Sequence, residues 1–153
     1  MKGRASKVGL VALLITGPGC QTPVGPSTVE SDSLRVVAEL EPARVGPGDT
    51  ATVVAVFKNM IARPLTVSFG MGCPFYLRVI DRGSGDPVPM KGADYLCTAA
   101  GTAFEIAAGD SVVRTHPLIT KINDAPAPRG EYLARLNFTT SEIPNLEAPF
   151  TVK

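Results

Sequence analysis

Apolar and polar residues alternate with a period of two along most of this chain. The strongest run is Asp49 to Asn59, DTATVVAVFKN, which follows a Gly46-Pro47-Gly48 turn and ends in Lys58-Asn59. Side chains of a strand point alternately to its two faces. Val53, Ala55 and Phe57 therefore share one face, and Thr52, Val54, Val56 and Lys58 share the other. Valines on both faces predict a central strand, which needs partners from elsewhere in the chain. A helix is the poorer reading, because the run is short, β-branched and bounded by turn residues.

Those partners are readable. Ser33 to Glu41 alternates with Leu34, Val36, Ala38 and Leu40 inward, and Pro42 ends it. Leu65, Val67 and Phe69 form a third strand, broken by Gly70-Met71-Gly72-Cys73-Pro74. Phe75, Leu77 and Val79 resume the pattern against Tyr76, Arg78 and Ile80, and Asp81 to Asp86 is a hairpin-like loop. Val88 and Met90 fit a short edge strand, Tyr95 to Ala100 an irregular return, and Phe104 with Ile106 another short strand. Ser111 to Thr120 reads as extended, with Val112, Arg114 and His116 on one side. Lys121 to Arg129 reads as a Pro/Ala/Asp loop. From Gly130, Tyr132, Ala134, Leu136 and Phe138 point inward; Pro144 to Ala148 connects to a terminal strand carrying Phe150 and Val152. About eight short strands without an amphipathic helix predict an all-β, antiparallel, two-sheet immunoglobulin-like sandwich over residues 34–153.

The first 33 residues follow a different logic. Lys2, Arg4 and Lys7 precede an apolar run from Val8 to Ile15, and small residues lead into Cys20. That order describes a signal peptide over residues 1–19, with an apolar run too short to span a bilayer. Cys20 resembles the lipobox cysteine of bacterial lipoproteins, although Gly17 stands where that pattern usually has leucine. Lipidation of Cys20 would anchor the chain to a membrane; simple secretion is the alternative. Residues 20–33 are rich in Pro, Thr, Ser and Gly and predict a disordered, flexible tether.

Export changes the charge and cysteine arithmetic. Removing Lys2, Arg4 and Lys7 from the 15 basic residues leaves 12 against 14 acidic ones, a formal balance of −2. Such a balance gives no reason to expect nucleic acid as a partner. With Cys20 assigned to lipid, Cys73 and Cys97 remain of three cysteines. In an oxidising compartment they are expected to pair, two free thiols being the alternative.

Several separate segments carry a family resemblance. They are Gly48-Asp49 before TVVAVFKN, Arg63 to Phe69 (RPLTVSF), Phe75 to Asp81 (FYLRVID) with its glycine loop, Ala108-Gly109-Asp110-Ser111, and Arg129-Gly130-Glu131-Tyr132. Together they resemble the intracellular proteinase inhibitor (BsuPI-like) family of immunoglobulin-like sandwich domains, over roughly Leu34 to Phe138. Ala108 and Arg129 stand where the family has proline, and the chain has no tryptophan. The resemblance implies a binding module, with protease inhibition as one activity; no inhibitory residue maps onto a matching position.

Candidate chemistry is sparse. His116 is the single histidine and lacks the partners that a zinc or catalytic site needs. Met60, Met71 and Met90 read as packing residues in preference to a copper site. Asp81, Asp86 and Asp94 read as turn aspartates in preference to a Ca²⁺ site. Ser84 lacks a nucleophile elbow. Tyr132 matches a tyrosine corner. No catalytic residue, metal ligand or cofactor is expected, and the chain reads as a non-enzyme. The expected function is extracytoplasmic protein binding, through loops 70–74 and 95–101 joined by the cysteines, or through 121–129. Met71, Phe75, Tyr95 and Leu96 are the candidate contact groups. The alternatives are inhibition of an exported subtilisin-like serine protease and a structural role in envelope assembly.

Overall fold

The computed structural model describes residues 26–153. The segment expected to be a signal peptide, Cys20, and the first part of the expected tether lie outside the described residues. Eight strands have five residues or more: β2 (Leu34–Glu41), β4 (Thr50–Asn59), β5 (Leu65–Phe69), β6 (Phe75–Asp81), β9 (Thr102–Ile106), β10 (Ser111–Ile122), β12 (Gly130–Phe138) and β13 (Leu146–Val152). The shorter pieces are β1 (Ser27–Glu30), which precedes them, and β3 (Arg44–Val45), β7 (Pro87–Val88), β8 (Met90–Lys91) and β11 (Ala125–Pro126) between them.

These strands form a two-sheet sandwich. The first sheet has the order β1-β2-β4-β10-β11, with β8 also paired to β10; the second has the order β3-β13-β12-β6-β7. All pairings are antiparallel except β3 with β13. The order β2-β4-β10 opposite β6-β12-β13 is the immunoglobulin-type connectivity. A two-stranded ribbon, β5 with β9, covers one end.

The core lies where the alternation places it. Val36, Ala38 and Leu40 of β2 and Val53, Ala55 and Phe57 of β4 meet Leu77 and Val79 of β6 and Ala134 and Leu136 of β12. β4 is central, paired along its length with β2 on one side and β10 on the other. Phe57 is fully buried and makes edge contacts with Phe69, Phe104 and Phe138, at centroid distances of 5.9, 5.3 and 5.8 Å. Those rings tie the end ribbon to both sheets.

Three expectations need correction. Ser27–Glu30, assigned by composition to the tether, is the edge strand β1, held by backbone pairing to β2. Lys121 to Arg129 is not a free loop: β10 runs to Ile122, β11 folds back on it, and Ala127 is buried. The last strand begins at Leu146, inside the segment read as a connection. In each case a neighbouring strand supplies pairing that local composition does not encode. Tyr132 does form the expected corner, its hydroxyl donating to the Pro128 carbonyl at 2.8 Å. Burial, and secondarily the charge of Asp81, push its pKa upward.

Candidate functional site

Segment 87–97 bridges the two sheets along one open side of the sandwich. Its first part, β7, pairs with β6 of the second sheet, and β8 pairs with β10 of the first. Met90 is buried there as a core packing residue. Gly92, at φ 95°, lets the chain pass close to β10: a Cβ at that position would lie 2.5 Å from the Pro117 carbonyl oxygen. No other residue type fits that approach without displacing backbone.

The bridge then locks onto both sheets. The Tyr95 ring stacks on His116 with centroids 3.9 Å apart. His116 Nε2 lies 2.8 Å from the Gly92 carbonyl, and since a carbonyl only accepts, Nε2 carries the proton. The Tyr95 hydroxyl donates to the Phe75 carbonyl of β6, and burial pushes its pKa up to about 12. The lone histidine is thus a packing partner of a tyrosine. Asp94 donates its backbone N–H to the Leu77 carbonyl, and its carboxylate pairs with Arg78 at 3.5 Å. That pair is exposed on both sides and contributes little stability.

Beyond Tyr95 the chain turns outward and is caught again by the Cys73–Cys97 disulfide, with Cα atoms 5.6 Å apart. Gly72 donates its N–H to the Thr98 carbonyl at 2.9 Å beside it. A closed loop of this sequence separation, 24 residues, gains roughly 3–4 kcal/mol in the chain-entropy account. Loops 70–74 and 95–101 are therefore brought together, as their cysteines predict.

The result is an open groove of about 220 Å³, lined by Met71, Tyr76, Asp94, Tyr95, Leu96 and Cys97. Leu96 is 98% exposed, and Tyr76 is 39% exposed on the outer face of β6. Three of the four expected contact groups, Met71, Tyr95 and Leu96, line it. Phe75 does not. It is buried in the core with its ring against Phe138, because it lies on the inward face of β6 with Leu77 and Val79. Its neighbour Tyr76 takes the place in the groove. The alternation places Tyr76 outward, and that was the available signal for it.

The other candidates lie apart. Asp81 Oδ1 accepts the N–H groups of Gly83 and Ser84, at 2.8 and 2.9 Å, as a turn aspartate does. Among the described residues no three His, Cys, Asp or Glu side chains are grouped so as to hold a metal ion.

No family model and no curated protein matches the chain. Similar solved structures include the β-glucosidase EmGH1 from Erythrobacter marinus, 13% identical over 79% of this chain with a TM-score of 0.48. The likeness covers 15% of the glucosidase chain. The GAE domain of GGA2p from Saccharomyces cerevisiae is 13% identical over 84% of this chain and 98% of that domain, with a TM-score of 0.31. Neither likeness bears on activity.

Proposed function

We propose that this chain is an exported, lipid-anchored, non-catalytic binding module that docks another protein at the disulfide-braced groove. The observation that carries the reading is the position of Leu96. It stands almost fully in solvent, yet it adjoins a half-cystine on one side and the packed Tyr95 on the other. An exposed apolar side chain on a restrained loop loses little freedom on binding, so contact there converts efficiently into affinity. The groove has room for one apolar side chain of a partner beside Leu96 and Tyr76.

The disulfide supports the export half of the reading, since such bonds persist in oxidising compartments. The basic and apolar leader before Cys20 supports the anchor. An extended chain from Cys20 to Ser27 reaches at most roughly 25 Å, keeping the sandwich close to the bilayer.

A photo-crosslinking residue at position 96, with the same residue at Glu105 as control, tests the docking site in intact cells. Position 96 is expected to give a discrete adduct that position 105 does not. In binding assays with the captured protein, Leu96→Asp is expected to lower affinity about tenfold to a hundredfold, the loss expected for one buried leucine. Identical products from positions 96 and 105, or Leu96→Asp binding as wild type, would contradict the reading.

A second reading is favoured by the same exposed leucine. A braced loop presenting one large apolar side chain suits the substrate cleft of a subtilisin-like protease, which is the activity the BsuPI-like resemblance suggests. Titration of such a protease distinguishes the two, because a docking module leaves it fully active.

A further inference from the structure

The outer face of the first sheet lies on the layer opposite the groove and carries a second pattern. Thr28, Val37, Val56 and Val113 are directly paired across β1, β2, β4 and β10, so they form one row on the solvent side. Val113 is 52% exposed at the β10 end of this row's apolar part, and Val56 of the central strand stands in its middle. One step along the strands in one direction lies the row Glu30, Arg35, Lys58 and Ser111; one step in the other lies Glu39, Val54 and Thr115. A valine row is thus flanked by Arg35 and Lys58 on one side and by Glu39 on the other.

We infer that this face is a homodimer interface, with a second copy of the chain stacked on it through a two-fold axis along the valine row. The charge pattern selects this occupant. Rotation about that axis keeps each strand over its own counterpart and reverses strand direction. Val37, Val56 and Val113 then meet the same valines of the partner copy. Arg35 falls over Glu39 of the partner copy, and the symmetry makes that contact twice. Lys58 falls over Val54 of the partner copy, diagonal to the same glutamate. Sheets stacked face to face about 10 Å apart, within about 30° of alignment, allow this arrangement. Among the described residues Arg35 pairs with Glu30, at 3.6 Å and exposed on both sides, so the contact restrains the guanidinium little.

The size fits a modest dimer. Three inter-strand spacings of about 4.8 Å and eight residues of about 3.4 Å, with the flanking side chains, give roughly 500 Å² per copy. About 1,000 Å² in total is the lower end of specific interfaces, where association is weak enough to depend on concentration. A tethered protein concentrated on a membrane associates more readily than one free in solution.

Sedimentation velocity on the full chain carrying Cys20→Ser, which excludes a crosslink through that thiol, tests the interface. A concentration-dependent monomer–dimer equilibrium is expected. Val113→Lys is expected to weaken it at least tenfold, with unchanged circular dichroism, because it places like charges face to face in an apolar row. Arg35→Glu alone and Glu39→Arg alone are each expected to weaken it comparably. An equimolar mixture of those two variants restores association, because each copy then faces its opposite charge twice. A monomer at every concentration overturns the proposal. So does a dimer indifferent to Val113→Lys, or a mixture no tighter than its components.

Discussion

Phe57→Asp is expected to leave the chain without a cooperative unfolding transition. Phe57 is fully buried near the end of the central strand, and its ring is the common contact of Phe69 from β5, Phe104 from β9 and Phe138 from β12. Truncating a buried phenylalanine costs about 3–5 kcal/mol. A carboxylate in its place has no cation or donor among those rings, and an uncompensated buried charge costs several kcal/mol more. The sum approaches the whole stability of an ordinary domain, about 5–15 kcal/mol. Near-UV circular dichroism and a urea titration would show it as lost tertiary signal and no sigmoid. Phe57→Leu, which keeps most of the volume, is expected to stay folded with a lowered urea midpoint. A cooperative melt for Phe57→Asp would mean that this face of β4 is not the inner one.

Asn59→Ala is expected to destabilise the domain by about 3 kcal/mol, because it orphans several buried backbone groups at once. Asn59 is fully buried at the end of β4. Its Nδ2 donates to the carbonyls of Arg63, Ile106 and Ala107, at 2.7, 3.0 and 3.1 Å, and its Oδ1 accepts the Ile61 N–H at 3.0 Å. One amide thereby fixes the turn after β4 and holds the end of β9 to the main sandwich. Asn59→Asp is expected to do no better, since a carboxylate cannot donate to carbonyls. The urea midpoint should fall for both variants with an unchanged slope. A change within about 0.5 kcal/mol would show that water replaces the amide at little cost.

These two residues mark the boundary of what was legible. Phe57 was readable because alternation is local: Val53, Ala55 and Phe57 sit two apart, and two-residue spacing sets a strand's face. The same rule places Val36, Ala38 and Leu40 of β2, and Tyr132, Ala134, Leu136 and Phe138 of β12, in the core. Applied strictly, it also places Phe75 inside with Leu77, and Tyr76 outside. The expectation of Phe75 as a contact group gave hydrophobicity precedence over strand phase. Asn59 stands as the polar end of a strand in the sequence, and the carbonyls it binds at Ile106 and Ala107 are 47 and 48 residues away. No local pattern announces such a partner.

The groove was half legible for the same reason. Cysteine parity brings residues 73 and 97 together, and with them Met71 and Leu96. The stacking of Tyr95 on His116 depends on a register between β10 and the bridging segment that no single stretch encodes. Edge strand β1 was hidden by its Pro- and Ser-rich surroundings, since its ladder bonds are supplied by β2.

The export and bracing on which the proposed function depends meet in one measurement, the intact mass of the protein purified from cells that carry it to their envelope. The account predicts a chain that begins at an acylated Cys20 and weighs two hydrogen atoms less than its reduced form, the deficit of the Cys73–Cys97 bond. An uncleaved chain beginning at Met1, with the mass of free thiols at both positions, would contradict it.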